Sequence, residues 1–583
     1  MFDKIIYIGE NDARIKIKDD AKITTDIMNM PLVIEDSKKK ILSEVKDLSQ
    51  NEVSVRLLGE IVNGRFVGGV LRKPSMDSSI RTLNDDEYTL ILNVNEYGNI
   101  TLGTSTFYDN RTIYASMNEL FSNHMCIIGN SGSGKSCGVS RFLQNVFYIP
   151  NFIPFKSNFL IFDSSGEYYT AFSRINEINP NYNYRFLTTN LNSPHKGDIF
   201  KIPIWLLGVN DISLLLNANT HTQLSIIEKS LKLVKIFSQS DDTALQYKNH
   251  LIASAIMSIL YSNQMSASKR DEIFSIFHTC PTPEFNLNSV VKGIGYTRKL
   301  QECFLIDSAG EFGERVLLTE YVNGFIKPEF NNYEPDKVHM YTLHDLENAL
   351  NFALISEGWL RNPNVYADAI TLRVKLHELV IGTNAKFFDY PQFVTLDQFL
   401  TSLIINNNKK CQIININLED IDDVIAKSIV KIMSRLIFDF SKKIERGSIP
   451  FNIFLEEAHR YVQKDSDEFL FGYNIFDRIA KEGRKYGVIM NLISQRPVDL
   501  SDTVLSQCSN FFIFKMSHPR DIEYITKMIP NITEETIEKQ KGLQIGNCLV
   551  FGSAFQIPLI VKVELPNPLP QSSNCNVVSK WTN

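Results

Sequence analysis

Apolar spacing along this chain changes register several times, and each change predicts a different kind of element. Over residues 1 to about 110, short runs alternate apolar with polar. EVSVRLLGEIV, the pair Asn63-Gly64 and RFVGGVLRKP read as a β-hairpin, because Asn-Gly favours the turn whose twist matches its flanking strands. EYTLILNV reads as a further strand, and repeated short strands with glycine at the turns predict a small barrel or sandwich. Between residues 119 and 175 the order becomes apolar strand, glycine-rich loop, the helical pattern SCGVSRFLQNVF and a second strand, NFLIFDSS. That is β-loop-α-β, the unit of a parallel α/β sheet.

From about 208 to 390 the spacing turns helical, as in LSIIEKSLKLVKIF and HLIASAIMSILY, with apolar residues at i, i+3 and i+4. Strands then return as CQIININL, FNIFLEEA, GVIMNLIS and FFIFKM, separated by helix-like segments such as DVIAKSIVKIMSRLIFDFSKKIE. The pattern predicts one α/β core over 111–207 and 391–565, a helical insertion at 208–390, and an N-terminal β domain at 1–110. Residues 566–583, rich in Pro, Asn and Ser, read as a tail or extended arm.

Composition adds bounds. A chain of 583 residues, 44% hydrophobic, can bury a large core, enough for roughly two to four domains. With 60 basic and 66 acidic residues the formal net charge is -6. This balance neither announces nor excludes a nucleic-acid partner, since a basic channel can sit inside an acidic protein. The 8 cysteines are scattered without metal-ligand spacing, the pattern of reduced, buried thiols. Charges occupy the N-terminus where a signal peptide needs an apolar run, and no stretch reaches membrane-spanning length. The expectation is a soluble cytoplasmic protein.

The glycine-rich loop carries the chemistry. Gly129-Asn130-Ser131-Gly132-Ser133-Gly134-Lys135-Ser136, followed by Cys137, fits G-x-x-x-x-G-K-[ST]. Its glycines let backbone N–H groups turn toward phosphate oxygens at a helix N-terminus. Lys135 reaches the outer phosphates of ATP, and the Ser136 hydroxyl suits Mg²⁺. Hydrolysis needs a second, carboxylate-bearing strand, and FNIFLEEAHRYV supplies one. Glu456 stands where the Mg²⁺-associated acid is expected, and Glu457 where a general base would polarise water. Glu456 is one methylene longer than the usual Asp, which favours contact through water. Gln495 ends the following strand and can sense the γ-phosphate or that water, or simply begin a loop. Arg478 and Arg484 lie in a cationic run that reads either as a solvated face or as a source of an arginine reaching a neighbouring subunit.

In order, NHMCIIGNSGSGKS, FLIFDSSGEY, FLEEAHRYV, RIAKEGRKYGVIMNLISQRPVDLSDTVLSQCSNFFIFKM and GNCLVFGSAFQIPLIVKVELP resemble the motifs of the HerA branch of the HerA/FtsK superfamily of hexameric DNA-translocating ATPases. The resemblance implies a RecA-like core behind a small β-barrel, and a homohexameric ring with DNA threaded through it. It implies ATP bound between subunits, with Asp163 and Glu167 of the D-x-x-G-E-Y segment at the nucleotide. Arg484 is then the first choice for the trans-acting arginine and Arg478 the second. It also implies a partner effector: a nuclease such as NurA in end processing, or a sirtuin-like NAD-consuming or nuclease protein in bacterial anti-phage defence. A ring that gates an effector without translocating, and a conjugation or secretion motor, are the alternatives. The short clusters His195-Lys196 and Arg298-Lys299 do not single out a DNA-contacting loop, and the scattered histidines read as core or surface residues.

Overall fold

In the computed structural model, the residues described are 1–19, 27–37, 39–92, 98–149, 152–192, 197–330, 339–359, 363–464, 470–528, 534–571, 577 and 581. His195 and Lys196 fall outside them.

The N-terminal strands are β1 (Phe2–Ile8), β2 (Asp12–Ile17), β3 (Pro31–Glu35), β4 (Lys40–Leu48), β5 (Glu52–Val62), β6 (Arg65–Gly68) and β7 (Ser79–Thr82). They form an antiparallel sheet in the order β1-β2-β5-β4-β3-β7, with β6 on β5. Asn63 and Gly64 both take positive φ, 51° and 71°, giving the predicted hairpin turn between β5 and β6. Inward residues such as Ile15, Leu32, Ile41 and Val53 meet in one apolar cluster.

EYTLILNV is not a strand. Asp85–Ile91 is a helix, because Asn84 caps it reciprocally with Glu87 and three acids fill its first turn. Its buried positions, Tyr88 and Ile91, are spaced for a helix face. β8 (Asn99–Ser105) and β9 (Arg111–Ser116) leave the N-terminal sheet and join the core, so a boundary at residue 110 falls inside their hairpin.

The core sheet adds β10 (Met125–Ile128), β11 (Phe159–Asp163), β12 (Tyr184–Thr188) and β13 (Asp198–Ile199). Two small hairpins follow, β14 (Val290–Gly293) with β15 (Tyr296–Lys299) and β16 (Ile405–Asn406) with β17 (Lys409–Lys410). β18 (Ile413–Asn417), β19 (Phe451–Leu455), β20 (Val488–Ser494), β21 (Asn510–Phe514), β22 (Asn547–Gly552) and β23 (Leu559–Val563) complete it. The twelve strands run β13-β12-β18-β11-β19-β20-β10-β21-β22-β23-β8-β9. From β13 to β21 they are parallel, and β22, β23, β8 and β9 pair antiparallel.

Strands buried on both faces explain the continuous apolar runs of the sequence. Successive residues of β11 enter opposite layers: Leu160 and Phe162 one, Phe159 and Ile161 the other. One layer holds the helix Lys135–Tyr148 through Val139, Phe142 and Leu143. The other is filled by the helices Asp423–Lys443 and Ile475–Tyr486, and by the helical stretch from Val209 to Ile404. That stretch shares the apolar core of the sheet it covers. Among the described residues no helix is long and apolar enough to cross a membrane.

Candidate nucleotide site

The glycine-rich loop leaves the carboxyl end of β10, between β20 and β21, and enters the helix Lys135–Tyr148. Gly132 and Gly134 take φ of 71° and 105°, which a side chain would resist. At Gly129 a Cβ would lie 2.6 Å from Phe514 Cβ, so the close approach of loop and β21 demands glycine. Neighbouring segments hold the loop in shape. Asn130 N donates to Lys515 O (2.9 Å), Asn130 Nδ2 to Ser517 Oγ (3.1 Å), and Gly546 N to Ser133 O (3.1 Å). Ser131 and Gly132 stand exposed at the tip, with Ser136 and Cys137 in the first helical turn. Lys135 Nζ donates to the carbonyls of Gly129 (2.8 Å) and Asn130 (2.9 Å). Burial lowers its pKa, against the opposing pull of Glu457, Glu456 and Glu167.

Glu457 follows β19 with φ 48° and ψ 46°, a left-handed backbone that turns its side chain out of the strand direction. Its Oε1 accepts from Gln495 Nε2 at 3.1 Å, joining the ends of β19 and β20 as the sequence suggested. Its Oε2 is buried and has no hydrogen-bond donor. His459 Nδ1 lies 3.2 Å from that oxygen but is engaged with Ser494 Oγ at 3.3 Å. Burial raises the Glu457 pKa, and the Lys135 and Arg460 charges oppose the rise. Burial likewise lowers the His459 pKa, leaving its ring neutral near pH 7.

Two of the predicted contacts are redirected. Glu456, expected beside Mg²⁺, is buried with its carboxyl spent on Ser165 N (Oε2, 3.2 Å) and on the Asp163 side chain. Burial, then Asp163, push its pKa well up, so the pair shares a proton. Asp163, expected at the nucleotide, is fully buried and anchors its own loop. Its Oδ1 accepts from Glu167 N, and its Oδ2 from Tyr168 N and Asn415 Nδ2, each at 3.0 Å. Gly166, at φ 69°, makes that turn possible. D-x-x-G-E-Y thus encodes a carboxylate-capped loop that presents Glu167. The Glu167 carboxylate takes a hydrogen bond from the Ser136 hydroxyl, while its Oε2 is buried without a donor.

Neither arginine joins this cluster. Arg478 pairs with Glu482 at 3.7 Å and lies over the Phe438 and Tyr473 rings. Arg484 is exposed in the last turn of its helix, just before β20 begins at Val488. The seven residues of β20 separate it from Gln495, about 20 Å of strand. His459 and Arg460 were not singled out from the sequence, although their place directly after Glu457 was the available signal. Arg460 pairs with Asp423. Asn415 carried no signal at all, since its role depends on β18 lying beside β11.

A phosphate-shaped loop at a helix start, faced by a lysine, a strained glutamate and a glutamine from adjacent parallel strands, defines an α/β P-loop ATPase fold. Residues 100–278 match the family described as "Helicase HerA, central domain". The DNA double-strand break repair helicase HerA of Saccharolobus solfataricus is 28% identical over 207 residues, 35% of this chain and 41% of that protein. Its counterpart in Sulfurisphaera tokodaii is 30% identical over the same shares. The match thus spans less than half the length of these curated relatives. Among solved structures, VirB4 of Thermoanaerobacter pseudethanolicus aligns over 81% of this chain and 98% of that one, with 12% identity and a TM-score of 0.44. The chain carries a HerA-like P-loop ATPase core.

Proposed function

We propose that this protein is an ATP-hydrolysing motor that translocates DNA as a homohexameric ring and works with a separate effector, a nuclease or a sirtuin-like NAD-consuming enzyme, in anti-phage defence or DNA end processing. On this reading the N-terminal sheet is the small barrel that precedes the core. The observation that carries the ATPase reading is the meeting of Lys135, Glu457 and Gln495 at the carboxyl ends of neighbouring strands. The match of residues 100–278 to the HerA central domain favours DNA as the track.

Each residue has a part in that chemistry. Backbone N–H groups of Gly129 to Ser136 cradle the phosphates, and Lys135 exchanges its two loop carbonyls for phosphate oxygens. The Ser136 hydroxyl fits a magnesium ion, which when bound would offset phosphate charge. Glu457 Oε2, buried without a donor, is the atom that accepts the proton of the attacking water. Gln495 fixes the other carboxylate oxygen and so the direction in which Oε2 points. Arg484, too far from its own site, serves the nucleotide of the adjacent subunit.

The test is ATP turnover by the purified protein with and without duplex or single-stranded DNA, alongside displacement of a bound roadblock. DNA-stimulated turnover with displacement is the expected result. Turnover indifferent to DNA would replace the translocase with an ATP-gated scaffold.

A further inference from the structure

We infer that Glu167, not Glu456, is the acid that serves the magnesium side of the site, acting as a positioning residue on Ser136. This rests on the ATPase reading above and assigns a role within it.

Several observations converge on Glu167. The loop that carries it is held from both sides: Glu167 N and Tyr168 N bond the buried Asp163 carboxylate, and Gln571 N donates to Glu167 O at 2.7 Å. A side chain on so constrained a backbone is aimed rather than free. Its carboxylate accepts from the Ser136 hydroxyl. A hydroxyl has one proton and two lone pairs. Giving that proton to Glu167 leaves the lone pairs of Ser136 directed at a cation. The second Glu167 oxygen, buried and without a donor, remains to accept from the hydration shell. Such outer carboxylates orient metal ligands and raise their basicity.

Glu456 is excluded by the same accounting. β19 lies directly beside β11, and the extra methylene of Glu over Asp carries the Glu456 carboxyl across to Asp163 and Ser165 N. A glutamate in this position is a clamp between strands. It supports the loop on which Glu167 sits.

Manganese, read by its electron spin resonance, tests the assignment on the full chain saturated with the non-hydrolysable analogue adenylyl imidodiphosphate. Glu167→Gln should weaken Mn²⁺ binding about 10–100-fold, with analogue affinity in EDTA unchanged. Glu456→Gln should bind Mn²⁺ within about twofold of wild type, because its amide still donates to Asp163. Normal Mn²⁺ affinity in Glu167→Gln, or its loss in Glu456→Gln with EDTA affinity intact, overturns the inference. If Glu167→Gln also loses affinity in EDTA, Glu167→Asp decides: weakened Mn²⁺ binding with normal EDTA affinity supports it, and unchanged Mn²⁺ binding sinks it. Failure of the wild-type chain to bind nucleotide would instead strike the ATPase reading.

Discussion

Glu457 is the non-glycine residue whose backbone most needs explaining. Among the described residues, the others with positive φ are all Asn or Asp, which tolerate that conformation. A glutamate there costs about 1–3 kcal/mol, a strain that persists where surrounding contacts over-determine it. Here Gln495, His459 and the β19 ladder do so. Glu457→Gln should bind ATP with near-normal affinity and lose turnover by about 10²–10⁴-fold, measured by fluorescent-nucleotide titration and phosphate release. Lys135→Ala should lose nucleotide affinity in the same titration. A normal rate for Glu457→Gln would end its assignment as base. Lys135 and Glu457 were legible in the sequence because each is defined by its distance along the chain from a glycine loop or a strand end. Glu456 and Asp163 were not. Their partners come from a neighbouring strand, and spacing carries no record of which strand that is.

Secondary-structure elements are tied together by polar contacts that the apolar pattern could not reveal. The C-terminal arm, read as a tail, lies on the helix that follows the phosphate loop. Gln144 accepts from Asn567 N (2.9 Å) and donates to Pro568 O (2.9 Å), while Thr170 donates to Leu569 O (2.7 Å). Gln144→Ala should free the arm, seen as faster cleavage beyond Glu564 in limited proteolysis. His124 works similarly at the start of β10. Its Nε2 donates to Ala480 O (3.1 Å) and its Nδ1 accepts from Met490 N (3.0 Å), so the ring must be neutral. Burial holds its pKa down to about 4. Its stabilisation is complete above the unfolded pKa near 6.5 and is lost as pH falls toward 4, on the order of 3 kcal/mol in total. Urea unfolding should show this acid limb flattened in His124→Gln; an identical pH slope in both proteins would refute it. EYTLILNV was misread for a related reason. Its alternation fits a strand, but the Asn84–Glu87 cap decides the local competition.

The molecule as a whole places its arginines and its helical stretch. Val209 to Ile404 packs into the layer that covers one face of the sheet, so it buttresses the strands carrying the site. Arg484 stands at the opposite edge of that sheet from Gln495. Arg484→Ala should still assemble but lose hydrolysis by about 10³-fold, with assembly followed by native mass spectrometry. Mixing Arg484→Ala with Lys135→Ala subunits should restore part of the turnover, because each supplies what the other lacks. No regain on mixing would remove the trans role. The order of strands and helices, the phosphate loop, the general base and the Asn63-Gly64 turn were already settled by the chain's local chemistry, since each depends on neighbours a few residues away. The clamp role of Glu456, the aim of Glu167, the docking of the arm and the remoteness of Arg484 depend on which strands lie side by side. Contacts between residues hundreds of positions apart leave no periodicity to read, and folding alone brings them into register.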